Sequence, residues 1–93
     1  MQAKLIYDAK DNSFYLKQDN EYIAYITWDF PEENLMDIKS TYVDERYRTQ
    51  NIGRKLVSKA ADLALENNYH LKATCPFANV VLKRADKYKD ILV

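Results

Sequence analysis

The segment "TYVDERYRTQNIGRKLVSKAADLA", residues 41–64, runs from the end of a strand pattern into an amphipathic helix pattern. It contains Gly53, the only glycine in the chain, with cations around it at positions 46, 48, 54 and 55. Cations are unfavourable at a helix N-terminus, because that end carries roughly half a positive charge and several unpaired N–H groups. The pattern therefore predicts a bound anion, such as a phosphate, where the helix begins.

The same residues also allow a purely structural interpretation. Asp44 and Glu45 could neutralise the nearby arginines as surface ion pairs. Thr49 or Asn51 could be an ordinary N-cap, and Gly53 could serve only the close packing of helix on sheet. The chain has neither G-x-x-x-x-G-K-[ST] nor G-x-G-x-x-G, which argues against a Walker-type or dinucleotide-binding site.

The chain before this segment alternates in the period-2 manner of half-buried strands. The stretches "KLIYDAK", "SFYLKQ" and "EYIAYITWDF" are separated by Asp-Asn pairs at 11–12 and 19–20, which predicts three antiparallel strands joined by tight turns. Pro31 with the following "EEN" predicts the next turn, and "LMDIKSTYV" predicts a fourth strand.

The helix pattern that follows extends for about four turns. From Ile52 onwards apolar residues recur at spacings of three and four, and Asn67 with Asn68 predicts the stop. "YHLKATC" predicts a fifth strand, Pro76 predicts the start of a second helix, and residues 88–93 could add a last short strand. We expect the second helix to face the core with Phe77, Val80, Val81 and Ala85.

The element order is four strands, helix, strand, helix, with no linker or repeat. We therefore predict one α+β (α/β-type) domain over residues 1–93, with a mixed, mostly antiparallel sheet of five or six strands and two helices packed on it. A chain of 93 residues supports one core and no second domain.

Composition argues against several classes of function. Fourteen basic residues balance fourteen acidic ones, so the chain lacks the basic footprint of a nucleic-acid binder, although its tyrosines could stack on bases. No apolar run approaches the ~20 residues needed to span a bilayer, and the N-terminus lacks a secretion signal. The lone Cys75 cannot form an internal disulfide, which is typical of a reducing compartment. We expect a cytoplasmic monomer that binds neither nucleic acid nor membrane and has no metal site.

The quoted segment resembles the acetyl-coenzyme A binding motif of the GNAT superfamily of N-acetyltransferases, (Arg/Gln)-x-x-Gly-x-(Gly/Ala) at the start of a long helix. The motif falls on residues 48–53, with Asn51 in place of the first glycine. A minimal branch of the superfamily, without the extra helices of longer members, resembles nearly the whole chain. Its three further patterns correspond to "STYV" at 40–43, "ATCPF" at 73–77 and residues 84–92, with Ser40 and Ala73 in place of a histidine and a proline.

The resemblance implies that the fourth and fifth strands splay apart and hold the pantetheine arm of acetyl-coenzyme A. Backbone groups of Tyr42 and Val43 would bond this arm, and backbone N–H groups of residues 50–53 would bind the pyrophosphate. The cofactor-binding residues implied in this way, including three cations, are Tyr42, Val43, Arg48, Thr49, Gln50, Asn51, Ile52, Gly53, Arg54, Lys55 and Asn79.

Two residues are candidates for catalysis. Cys75 follows a strand and precedes a helix, where the helix dipole favours the thiolate, so it could be a nucleophile or a proton relay; a small buried thiol is the structural alternative. The resemblance implies that Tyr88, on the second helix, could protonate the leaving thiolate, with packing as its alternative. Because Ser40 replaces the branch's histidine, any base must be another group, a water molecule, or an amine that arrives neutral.

We therefore expect an acetyl-coenzyme A dependent N-acetyltransferase. The alternative is a coenzyme A or acetyl-coenzyme A binding module with little or no catalysis, such as a sensor or a partner-binding protein. The amine acceptor stays open among a protein lysine, a polyamine and another small amine.

Overall fold

The structure, a computed structural model, describes residues 4–8 and 11–93. These residues form five strands and two α-helices: β1 (Lys4–Asp8), β2 (Ser13–Gln18), β3 (Glu21–Glu32), β4 (Leu35–Val43), α1 (Ile52–Glu66), β5 (His70–Ala73) and α2 (Pro76–Lys83). Two 3-10 helices complete the fold, Glu45–Gln50 before α1 and Asp86–Tyr88 after α2. The predicted order of four strands, helix, strand, helix is confirmed.

All five strands form one mixed sheet in the order β1-β2-β3-β4-β5. The first four are antiparallel neighbours because short turns join them, and β5 is parallel to β4 because α1 connects the two. The possible last strand is reduced to a single parallel bridge between Leu71 and Leu92. The sheet therefore has five strands among the described residues, which agrees with the prediction of five or six.

Asparagine and aspartate take the left-handed backbone positions of the described residues. The residues with φ between 51° and 64° are Asn12, Asp19, Asn20, Asn34, Asn51 and Asn68. Short polar side chains tolerate this conformation better than other non-glycine residues do, which explains how the turns form without glycine. The turn predicted for Pro31 with the following "EEN" is present but shorter than this segment: β3 continues through Pro31 to Glu32, and the chain reverses at Glu33 and Asn34.

The apolar face of α1 packs on β3, β4 and β5. Its buried residues are Ile52, Gly53, Leu56, Val57, Ala60, Ala61 and Ala64. The small side chains among them let the helix approach the sheet, where Ile26, Met36 and Ile38 are fully buried. Full burial of each such side chain stabilises the fold by about 1.5–3 kcal/mol. The predicted helix is confirmed, and Asn68 adopts the left-handed conformation just beyond its end, as expected for the stop.

The second helix, α2, begins at Pro76 as predicted, but its predicted core face is right only in part. Val81, and Ala85 just beyond the helix, are half-buried against the core as predicted. Ala78 and Leu82 are buried, whereas Phe77 and Val80 are 45% and 49% exposed. Apolar residues lie on both sides of this short helix, so their spacing alone does not determine which side faces the core.

Strands β4 and β5 separate after a short paired segment. Leu35–Ile38 of β4 pairs with His70–Ala73, and just beyond this pairing the Cys75 N–H donates to the Ile38 carbonyl at 3.1 Å. β4 continues to Val43, so its residues 39–43 have no β5 partner among the described residues. The predicted splay between the fourth and fifth strands is confirmed.

Candidate functional site

A cavity of about 420 Å³ lies at the opening of the splay. It is enclosed by the unpaired end of β4, the 3-10 helix before α1, and the first turns of α1 and α2. The lining residues are Thr41, Tyr42, Val43, Arg48, Asn51, Gly53, Arg54 and Phe77. The fold thus brings six of the predicted cofactor-binding residues to one cavity.

The N-terminus of α1 presents backbone N–H groups beside this cavity. Its N-cap, Asn51, has φ 58° and ψ 25°, and its side chain makes no capping hydrogen bond. The N–H of Lys55 donates to the Asn51 carbonyl at 3.1 Å, as the first intrahelical hydrogen bond. The N–H groups of residues 52–54 therefore have no intrahelical partner. Together with the helix dipole, these groups suit an anion.

Arg46 does not contribute to this anion site, because acidic side chains already neutralise it. Its guanidinium is paired with Glu21 and with Asp44, whose Oδ2 is 2.9 Å from Nη2. Asp44 also accepts a 2.9 Å hydrogen bond from the Arg46 N–H and so caps the 3-10 helix. The hydrogen bonds from Arg46 lower the pKa of Asp44 to about 2, and the pKa of Arg46 is raised in turn. The interpretation as a surface ion pair is right for this residue.

Arg48 and Arg54 supply positive charge to the cavity. Among residues 4–8 and 11–93, neither forms a salt bridge with an acidic side chain. Nε of Arg48 donates to the Val43 carbonyl at 3.1 Å, which holds the side chain against the end of β4. Arg54 is exposed in the first turn of α1. Two cations therefore remain available to an anion at the helix start.

The other predicted cofactor-binding side chains lie away from this cavity. Those that line a second cavity of about 570 Å³, between α1 and the first two strands, are Gln50, Ile52 and Lys55. Nδ2 of Asn79 donates to the Ala73 carbonyl at 3.2 Å and ties α2 to the end of β5. Thr49 is exposed on the 3-10 helix. A contact of these side chains with a cofactor stays a prediction.

Gly53 is favoured by space and not by backbone conformation, since its φ is not positive. A Cβ atom at this position would lie 3.1 Å from two ring atoms of Phe77 and 3.5 Å from Cγ2 of Val43. The glycine therefore lets α1, α2 and β4 meet closely at the wall of the cavity. The structural interpretation of Gly53, close packing of the helix on the sheet, is therefore right. The approach of a phosphate to the Gly53 backbone stays a prediction.

Two hydroxyl contacts lie on β4 next to the cavity. Cys75, the N-cap residue of α2, is 7% exposed, and its thiol donates to Oγ1 of the cavity residue Thr41 across 3.7 Å. On the neighbouring position, Oγ of Ser40 and Oγ1 of Thr27 are 2.7 Å apart. The residue in the histidine position of the family branch is thus engaged with a second hydroxyl group.

The predicted place of Tyr88 on the second helix is wrong. α2 ends at Lys83 because the backbone is extended at Ala85, and Tyr88 ends the following 3-10 helix. Its buried hydroxyl donates to Oδ1 of Asp62 at 2.7 Å, and the Ser58 carbonyl lies 3.3 Å from the same oxygen. Burial and the bond to Asp62 raise the pKa of Tyr88 to about 12. Asp62 is about two and a half helical turns beyond Gly53, so this contact attaches the C-terminal residues to α1.

Thr41 and Phe77 line the cavity but are absent from the binding residues predicted from the sequence. The "ATCPF" segment, which the family branch shares, is the available signal for Phe77. For Thr41 the signal is the register between β4 and β5. The register determines which residues of β4 lie beyond the end of β5, and Thr41 is one of them. Within the described chain, no group of three metal-ligating side chains is placed to hold an ion.

Solved structures similar to this one are N-acetyltransferases. A GCN5-like protein from Staphylococcus aureus, determined in solution by NMR, is 31% identical, with 97% of this chain and 87% of that one covered and a TM-score of 0.79. A Bacillus anthracis protein assigned as a streptothricin acetyltransferase, crystallised with acetyl coenzyme A, is 29% identical over 68% of this chain and 38% of that one, with a TM-score of 0.55. Ribosomal-protein-alanine N-acetyltransferase from Brucella melitensis shares the fold at 20% identity over 69% of this chain and 49% of that one, with a TM-score of 0.57. The chain thus spans less than half of the two larger proteins.

The fold and its splayed sheet define an acetyltransferase-type domain. The model of the GCN5-related N-acetyl-transferase family matches residues 13–91, which is most of the chain. The protein therefore belongs to the GCN5-related N-acetyltransferase family, and the resemblance seen in the sequence is confirmed. No curated protein matches the sequence at a significant level.

Proposed function

We propose that this protein transfers the acetyl group of acetyl-coenzyme A to an amine. The observation that carries the proposal is the cavity at the splay, which combines the open N-terminus of α1 with the unpaired edge of β4. The first feature suits a pyrophosphate and the second suits an extended amide chain, and coenzyme A contains both. The family assignment supports the same cosubstrate.

Each part of the cosubstrate has a proposed partner in the chain. The N–H groups that begin α1 would bind the pyrophosphate, with Arg48 and Arg54 adding charge. The pantetheine arm would pair with the backbone of β4 around Tyr42 and Val43, where β5 has left the sheet. The acetyl group would then lie toward Thr41 and the base of the splay.

Acyl transfer requires the amine beside the thioester, removal of the amine proton, and stabilisation of the oxyanion. Backbone N–H groups of the unpaired β4 edge are the proposed oxyanion donors. Cys75 is the proposed proton relay. Its thiol contacts the hydroxyl of Thr41, which lines the cavity, and can pass a proton along this contact. The buried contact of Tyr88 with Asp62 supports a role for Tyr88 in packing.

A screen of amines with labelled acetyl-coenzyme A tests the activity and identifies the acceptor. We expect amine-dependent release of free coenzyme A, with a peptide lysine, a polyamine and small alkylamines as the first candidates. In Cys75→Ala the loss of a proton relay should lower kcat on the order of 10²-fold with KM for acetyl-coenzyme A little changed. Cys75→Ser separates relay from nucleophile, since a hydroxyl can pass a proton but is the weaker nucleophile.

The contact between Ser40 and Thr27 favours a second candidate function. Where relatives of this branch carry a histidine, this chain has a hydroxyl already engaged with another hydroxyl, and neither titrates near neutral pH. A module that binds acetyl-coenzyme A without efficient turnover fits this observation. Saturable acetyl-coenzyme A binding with no coenzyme A release for any amine would favour the module over the enzyme.

The cellular setting stays a prediction. We propose a cytoplasmic monomer that uses acetyl-coenzyme A and an amine acceptor, in agreement with the single buried thiol of Cys75. No helix among the described residues is long and apolar enough to cross a membrane.

A further inference from the structure

A buried carboxylate lies at the base of the splay, outside the residues assigned to binding or chemistry. Asp37, on β4, is 4% exposed. Its Oδ1 accepts a hydrogen bond from the Thr74 N–H at 2.8 Å, and its Oδ2 accepts one from the Thr74 hydroxyl at 2.8 Å. Nζ of Lys39 is 3.7 Å from Oδ2. A buried carboxylate is unfavourable unless such partners compensate for the lost hydration, so the arrangement is specific.

These bonds are placed where the two strands separate. The last β4–β5 pair joins Ile38 to Ala73, and Thr74 is the next residue along the chain. One residue further, the Cys75 N–H donates to the Ile38 carbonyl at 3.1 Å. The carboxylate of Asp37 therefore fixes the residue at which β5 stops following β4.

The position of Thr74 in turn determines the wall of the cavity formed by α2. Cys75 follows directly as the N-cap of α2 and has no side-chain capping bond of its own. Its thiol is 3.7 Å from the Thr41 hydroxyl, and two atoms of the Phe77 ring lie 3.1 Å from where a Cβ on Gly53 would be. A shift of Thr74 would move both contacts, because each lies within one turn of the start of α2.

We propose that Asp37 is a positioning residue. It holds Thr74 in place, and Thr74 in turn sets the distance of Cys75 and the start of α2 from β4. This inference rests on the proposed acetyl transfer for its effect on turnover. Asp37 does not touch the cavity lining itself, so it acts through Thr74 and is not a catalytic residue.

Four variants test the proposal. Asp37→Ala removes both acceptors, and Thr74→Val removes the hydroxyl donor at nearly constant volume. Asp37→Asn keeps an amide oxygen for the Thr74 N–H, and Thr74→Ser keeps both donors. Asn68→Ala, at a left-handed position beyond α1, is the control for loss of stability away from the splay.

The measurements are kcat and KM for acetyl-coenzyme A, with the rate of Cys75 alkylation by iodoacetamide in the free protein. In Asp37→Ala and Thr74→Val, misplacement of Cys75 should lower kcat on the order of 10-fold and change the alkylation rate by a similar factor. In Asp37→Asn and Thr74→Ser, both rates should stay within about two-fold of wild type. A merely structural role would lower the melting temperature and leave these rates like those of Asn68→Ala, and that result would overturn the proposal.

The alkylation rate separates this inference from the proposed function. If wild-type protein neither binds nor turns over acetyl-coenzyme A, the proposed function fails, and the alkylation rates alone decide whether Asp37 positions Cys75. Should Asp37→Ala fail to fold, Thr74→Val against Thr74→Ser makes the same comparison. Equal alkylation rates for these two variants would contradict the proposal.

Discussion

Asn51, which stands in place of the first glycine of the family motif, forms the turn at the start of α1. Its left-handed backbone, φ 58°, turns the chain from the 3-10 helix into α1, and its free side chain leaves the first N–H groups of the helix open. Asparagine is among the few non-glycine residues that adopt this conformation routinely. Asparagine at this position is therefore compatible with the turn into α1, and binding of an anion there stays a prediction.

Substitution of Asn51 tests this at the level of one residue. We expect Asn51→Ala to lower the free energy of unfolding by about 1 kcal/mol, because a Cβ-bearing residue without a local polar group is strained at positive φ. We also expect weaker acetyl-coenzyme A binding in this variant. Asn51→Gly should keep both properties close to wild type.

The matched control is Asn68→Ala, since Asn68 has φ 60° but lies beyond the other end of α1. It should lose similar stability in urea unfolding and retain the wild-type affinity for acetyl-coenzyme A. Equal loss of affinity in the two alanine variants would show that the effect comes from stability and not from the loop.

At the scale of elements, Asp62 is the residue of α1 that holds the C-terminal residues through polar contacts. Tyr88 donates to Asp62, which also pairs with Lys87 at 2.9 Å. Burial acts to raise the pKa of Asp62, but the hydrogen bonds from Tyr88 and Lys87 outweigh it and the pKa is lowered. The carboxylate is therefore charged at neutral pH and accepts a hydrogen bond from the phenol, which keeps its proton.

Removal of this hydroxyl gives a pH-dependent prediction. The pKa of Tyr88 is raised to about 12 in the folded protein, from an ordinary value of 10.0. Its contribution to stability is therefore fully present below pH 10 and is lost as the pH rises toward 12. At pH 7, Tyr88→Phe should lower the free energy of unfolding by about 1.5–3 kcal/mol, because it removes a hydrogen bond to a charged group. The difference in this free energy between the variant and wild type should shrink between pH 10 and pH 12.

Urea unfolding of both proteins at pH 7 and pH 11 measures this difference. A constant difference across the interval would contradict the assignment of the raised pKa to Tyr88. At pH 7, turnover by Tyr88→Phe close to wild type would agree with the packing role, and a loss of kcat near 10²-fold would restore Tyr88 as a proton donor.

The existence and order of the strands and helices were predictable from the sequence, and the buried face and the end of the short helix α2 were not. The spacing of apolar residues from Ile52 onwards predicts α1, and Asp-Asn pairs predict the first two turns, since both signals are local. The buried face of α2 depends on its contact with α1, which periodicity over a short helix does not encode. The position of Tyr88 was predicted wrongly because the helix breaks at Ala85, where no glycine or proline signals the break.

The candidate site follows the same division at the scale of the whole molecule. The motif residues 48–53 are contiguous, so the motif predicts them together, and three of the six, Arg48, Asn51 and Gly53, line one cavity. Asp37 and Thr41 lie on β4 and Phe77 lies on α2, and only the register between β4 and β5 brings them to the splay. A single sequence does not specify that register, since it depends on where β5 ends.

Binding of acetyl-coenzyme A should stabilise the whole domain. At a ligand concentration one hundred times Kd, linkage predicts a gain of about 2.7 kcal/mol, which corresponds to a rise in Tm on the order of 10 °C for a domain of this size. S-acetyl-N-acetylcysteamine, which carries the thioester without phosphates, is the matched ligand and should give little shift at the same concentration. Equal shifts for both ligands would contradict anion binding at the start of α1.

The most direct test of the central claim is calorimetric titration of acetyl-coenzyme A into wild-type protein and into Gly53→Glu. Gly53 lines the cavity, and a side chain there would meet the Phe77 ring and add a negative charge beside the open N–H groups. We predict saturable one-to-one binding to wild type and its loss in Gly53→Glu, with both proteins folded by circular dichroism. No binding to wild type at millimolar ligand, or equal binding by the two proteins, would contradict the account.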